Sequence, residues 1–192
     1  MTNVLLQKNR VSTERTVSAK MLVSAGIVAL AVLLPQLVHA TLGAKGGAQW
    51  LPMYLPVIIG GCLLGFKWGL GIGVLSPIAS FALTAAFGEP MPAAARLPYM
   101  TAELAVFAAV SGAFSKKIAA DRFAAFPAVL VAAVSGRIVF LTLAALFQSV
   151  SPLSFSAAWA QVQAGLVGLV VQIALAPVAV IGILALIKRY DK

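Results

Sequence analysis

Acidic side chains are nearly missing from this 192-residue sequence, with 5 Asp and Glu in all, and only 10% of its residues carry any charge. An ordinary soluble domain carries about 25%. A single cysteine, Cys62, excludes both a disulfide framework and a thiolate metal cluster. His39 is the only histidine, which rules out His/Cys zinc arithmetic and argues against a Ser-His-Asp triad. The chain also lacks a Gly-x-x-x-x-Gly-Lys-Ser/Thr phosphate loop, the device with which an ATPase would cradle its nucleotide. No polar linker or shift of composition divides the sequence, so one domain is expected, without metal or cofactor.

What the sequence has in abundance is apolar length: 61% of residues are hydrophobic and the mean hydropathy is +1.02. A water-soluble fold cannot hide that much apolar surface, so the expected class is an all-α, polytopic membrane protein of six helices. A polar tail at 1–20 and a basic end at 188–192 flank the membrane domain, 21–187. The spans fall at 21–38, 50–65, 69–86, 98–115, 123–148 and 158–187, each near or above the ~20 residues a bilayer core requires except the Pro-interrupted second. The tripeptide Phe66-Lys67-Trp68 reads as a tight turn, 87–97 and 149–156 as outer loops, and the Gly-rich 40–49 as a connection that could close over a site.

The net charge of +9 comes from small basic groups at the edges of the apolar runs, a topology signal with no implication of nucleic acid. With both ends in the cytoplasm, Lys8, Arg10, Arg15, Lys20, Lys67, Lys116, Lys117, Arg122, Lys188, Arg189 and Lys192 lie inside. Only Lys45 and Arg96 then lie outside.

Three polar groups fall at membrane depth. Arg137 stands near the middle of span five, where an ionisable group costs about 3 kcal/mol or more unless it meets a partner or a cavity. Glu103 in span four and Gln172 in span six complete a set that could line one interior site. Arg137 would offer its fork of donors to an anionic ligand group. The bland alternative is a Glu103–Arg137 ion pair that only fixes helix register. His39, Gln49, Trp50, Tyr54, Arg96, Tyr99, Trp159 and Gln163 gather at the outer helix ends, either as an interfacial belt or as the mouth of a pocket. Small residues recur at helical spacing, at Ala25 and Ala29 and again at Gly61, Gly65, Gly69 and Gly73. These let helices approach closely within the chain, or leave a flat face on span one for a partner.

The order of these features resembles the substrate-binding S components of energy-coupling factor (ECF) transporters. The resemblance is carried by Leu55-Pro56-Val57-Ile58-Ile59-Gly60-Gly61-Cys62-Leu63-Leu64-Gly65, by Trp68-Gly69-Leu70-Gly71-Ile72-Gly73-Val74-Leu75-Ser76-Pro77 and by Met91-Pro92. It continues through Leu97-Pro98-Tyr99-Met100-Thr101-Ala102-Glu103-Leu104, Gly136-Arg137 and Gln172-Ile173-Ala174-Leu175-Ala176-Pro177. It implies a non-enzymatic subunit in the cell membrane that captures a vitamin-like compound outside. Arg137, Glu103, Gln172, Tyr99, Gln163, Trp50, Tyr54 and His39 would serve the ligand. An Ala-rich face bearing Ala25 and Ala29 would meet a transmembrane coupling subunit driven by two ATPases.

Three rivals stand beside it. An ion-coupled carrier or small channel for an anionic solute would use Arg137 and Glu103 as a relay, and inverted repeats, its usual mark, are not evident. A membrane-embedded enzyme would need a better catalytic kit than one Glu and one Arg at depth. A purely structural subunit would bind no small molecule.

Overall fold

The computed structural model describes the chain from Thr2 to Tyr190, with side chains from Val17 onward apart from that of Ala44. Lys192 and the last part of the expected basic end therefore lie outside the described residues. Among the described residues the secondary structure is helical, without a strand: α1 Thr2–Trp50, α2 Tyr54–Leu64, α3 Phe66–Ala85, α4 Leu97–Ala113, α5 Ser115–Ala120, a 3-10 turn Arg122–Ala124, α6 Ala125–Phe147, α7 Phe155–Ala164 and α8 Leu166–Tyr190. Five segments are long and apolar enough to cross a membrane: Val17–Gly43, Lys45–Leu64, Phe66–Ala85, Arg122–Phe147 and Leu166–Tyr190. The chain is a multi-pass, all-α membrane protein.

The sixth apolar helix, α4, has only 17 residues, about 25 Å of length against a hydrocarbon core of about 30 Å. Its position explains how it can be short. It packs against α2, α3 and α6 at the centre of the bundle, so other helices cover much of its length. Gly61, Gly69 and Gly73 bring α2 and α3 directly onto the α4 backbone at Leu104 and Ala108, where any side chain would collide. In the absence of a hydrophobic drive between helices in lipid, such close backbone approach is what holds them together. The core around this contact contains Val57, Ile58, Ile72, Leu104, Phe107, Ala128 and Ala132.

Several boundaries differ from those expected. Residues 66–68 are the first turn of α3, and the reversal takes place at Gly65 alone, whose φ of 88° is open to glycine without the cost a side chain would bring. The Gly-rich stretch 40–49 is helical except at Gly43, where φ 69° and ψ −173° break α1. Pro35 sits inside α1 without ending it. The expected loop from Lys116 to Arg122 is largely taken up by the short helix α5, and the region expected as span six is divided at Gly165 into α7 and α8, of which α8 alone is long enough to cross a membrane.

The second membrane segment, Lys45–Leu64, is discontinuous. After Trp50 the backbone leaves the helix at Leu51, with φ 49°, and resumes at Tyr54. A break at membrane depth frees carbonyls that lipid cannot satisfy. Here α8 satisfies them: the Gln172 amide Nε2 donates to the Trp50 carbonyl at 2.9 Å and to the Leu51 carbonyl at 2.6 Å. One turn away, Gly168 leaves room for the backbone of Gln49 and Trp50 to lie against α8.

Candidate functional site

Tyr54 opens α2 directly after this break, and the break thus sets where its ring points. The ring is wholly buried and packs edge-on against Phe107 of α4, with centroids 5.3 Å apart at 84°. Its hydroxyl donates to Glu103 Oε2 at 2.5 Å. Glu103, 0% exposed, meets Arg137 of α6 through Oε1 and Nη1 at 3.0 Å. The Arg137 guanidinium carbon stands 5.4 Å from the centre of the Tyr54 ring, within cation–π range. Three helices, α2, α4 and α6, are thereby tied by one buried cluster.

The cluster is only partly satisfied. At 3.0 Å the Arg137–Glu103 contact is an ion pair by distance, yet its angles are too poor for a hydrogen bond. Arg137 Nε, Nη1 and Nη2 and Glu103 Oε1 are all buried without a hydrogen-bond partner. Arg137 is 7% exposed. Its charge is neutralised, while its hydrogen-bond donors are unused.

Above Tyr54 lies a cavity of about 240 Å³. His39 of α1, Tyr54, Ser80 of α3, Arg96 before α4 and Gln161 of α7 supply its polar lining, and Met53, Met91 and Met100 are among its apolar walls. Its rim is held in place by α3. Ser80 Oγ donates to the Met91 carbonyl at 2.8 Å, and the Met91 amide donates to Thr84 Oγ1 at 2.7 Å, which fixes the loop that carries Pro92 and Arg96. The break at Leu51 and Pro52 forms another part of the wall.

The structure distributes the expected site residues over several places. His39 and Tyr54 line the cavity, and Arg96 joins them. Glu103 and Arg137 sit behind Tyr54 and do not line it. Gln172 makes its hydrogen bonds to the broken backbone and none to Glu103 or Arg137. Tyr99 packs on Phe140 and lines a different hollow of about 620 Å³ with Leu143 and Phe147. Trp50, 40% exposed, Trp159, 47% exposed, and the exposed Gln49 and Gln163 face outward, as an interfacial belt would. Ala25 and Ala29 are exposed and line an apolar groove of about 930 Å³ between α1 and α3, with Lys67 and Trp68 at its edge.

Sequence reasoning missed Gln161, Ser80 and Thr84. The spacing of Ser80 and Thr84, one turn apart in an otherwise apolar helix, was a usable signal. Gln161 had no such signal, because its role depends on α7 being separate from α8. Among the described residues there is no group of three or more His, Cys, Asp or Glu able to hold a metal ion. Comparison with protein-family models, with curated proteins and with solved structures finds no match.

Proposed function

We propose that this chain captures a small water-soluble, vitamin-like compound from outside the cell as the membrane subunit of an ECF-type importer. Six helices cross the cytoplasmic membrane in this reading, α4 and its flanks included, and both termini are cytoplasmic. The observation that carries it is the position of the cavity. It opens at the helix ends that hold Arg96 and Lys45, opposite those that hold Lys20, Lys67, Lys116, Lys117, Arg122, Lys188 and Arg189. The excess of basic residues marks the cytoplasmic side, so the cavity faces outward.

A pocket with a few converging polar groups in apolar walls is the form a small-molecule site takes. The chain supplies the binding; energy comes from a coupling subunit and two ATPases. The open groove at Ala25 and Ala29 is the surface the coupling subunit would take. The Glu103–Arg137 pair serves this site from behind, by fixing Tyr54 in its floor.

Mass spectrometry of compounds released by heating the purified protein tests the reading. A stoichiometric small molecule, displaced by substitutions at the cavity lining, is expected. No released compound, together with proton-dependent flux of an anion in vesicles containing this chain alone, would replace capture by an ion-coupled carrier.

A further inference from the structure

We infer that the cavity selects a compact organic acid through two separate groups: Arg96 and His39 take its anionic end, and the Gln161 amide oxygen takes an N–H or O–H donor elsewhere on the molecule. The inference rests on the capture reading and goes beyond it by naming the ligand's chemistry.

Charge comes first. Arg96 is the one permanently charged side chain among the lining residues, and no carboxylate lines the cavity. The buried carboxylate of Glu103 stands behind Tyr54 with one oxygen on the Tyr54 hydroxyl and the other against Arg137. A cation entering the cavity would thus find no counter-charge, whereas an anion meets a guanidinium fork suited to two oxygens. Arg137, the residue that sequence depth singles out, is screened from the ligand by the Tyr54 ring and by its own pairing.

Gln161 provides the second handle. Its Oε1 is buried without a hydrogen-bond partner, and the residue lines the cavity. A buried acceptor left empty is costly, and because the side chain is only half-buried a turn of its amide brings this oxygen to the cavity, where a ligand that carries a donor gains more than one that does not. Between these two groups the walls offer the Met53, Met91 and Met100 thioethers, which adapt in shape and favour contact with aromatic rings. A volume of about 240 Å³ lies below the usual range of drug-sized sites, roughly 300–1,000 Å³. The best fit is one flat ring with a carboxylate and one donor substituent.

Thermal unfolding of the purified protein in nanodiscs, with 4-hydroxybenzoate, 4-aminobenzoate, benzoate, pyridine carboxylates and the primary amide of each, tests this. Donor-bearing acids are expected to stabilise the protein, and their amides to bind about tenfold or more weakly, the scale of one lost charge-assisted hydrogen bond. Arg96→Gln should abolish the preference for acid over amide. Gln161→Leu should weaken only the donor-bearing acids, again about tenfold. Equal stabilisation by acids and amides, or an unchanged ranking in Gln161→Leu, overturns the inference and leaves capture standing. If no compound in this panel stabilises the protein, the molecule released from it on heating decides. A small acid with a donor upholds the inference, a neutral or cationic compound overturns it alone, and no released compound overturns it together with the capture reading.

Discussion

The buried cluster of Tyr54, Glu103 and Arg137 shows why a charge within lipid thickness is not by itself a ligand anchor. A guanidinium at the middle of α6 and a carboxylate in α4 neutralise one another across two helices, and desolvation is tolerable only while both are present. Arg137→Ala is therefore expected to cost about 3–5 kcal/mol of stability by stranding Glu103, and Glu103→Gln a comparable amount by stranding Arg137. Replacing both together, by Met and Gln, should cost less than the sum of the two. A double-mutant cycle followed by unfolding in detergent measures this, and strict additivity would refute the coupling. Tyr54→Phe removes one donor from Glu103 Oε2 and should cost about 1–3 kcal/mol while weakening ligand binding, because the same ring forms the cavity floor. At this scale the sequence was informative about depth and uninformative about direction. The position of Arg137 within an apolar run announced its importance, but which way its fork points depends on helix rotation, and helices that are apolar all round carry no periodic stripe from which rotation could be read.

Breaks matter more than spans among the elements. Pro52 and Pro56 marked the second membrane segment as irregular, and the structure places the interruption at Leu51 to Met53, with Tyr54 delivered to the cavity by the helix that resumes there. The other half of that arrangement lies 122 residues beyond Trp50, in Gln172, and is invisible to local sequence reading. Gln172→Leu should leave the Trp50 carbonyl without a donor, at about 1–3 kcal/mol for that buried group, and the Leu51 carbonyl with the Tyr54 amide as its remaining donor. Hydrogen exchange should then accelerate in residues 45–56 ahead of the rest of the bundle. Uniform acceleration over the whole chain would mean that Gln172 supports the fold in general and not this break. Gly65 and Gly165 make the opposite pair. The first reverses the chain in one residue with a positive φ, whereas the second keeps φ −84° and ψ −1°, so nothing in its local sequence distinguished a divided helix from a continuous one.

Orientation belongs to the whole molecule, and the functional reading depends on it. Charge asymmetry was the clearest long-range signal in the sequence, because it needs only the positions of Lys and Arg relative to apolar runs. The folded chain gives that signal a consequence: α3 runs from Lys67 to the residues that hold the cavity rim, and α4 starts just after Arg96 and leads back to α5 with Lys116, so the basic end and the cavity occupy opposite poles. The single native cysteine, Cys62, is buried and offers a quiet background for labelling. In Glu89→Cys, on the exposed loop beside the cavity, a membrane-impermeant maleimide is expected to react in intact cells. In Lys117→Cys, on the exposed face of α5, it should react only after the membrane is opened. The reverse pattern would turn the cavity toward the cytoplasm, where Arg96 and Gln161 could receive nothing from outside, and uptake would have to be abandoned while the internal geometry of the bundle stood unchanged.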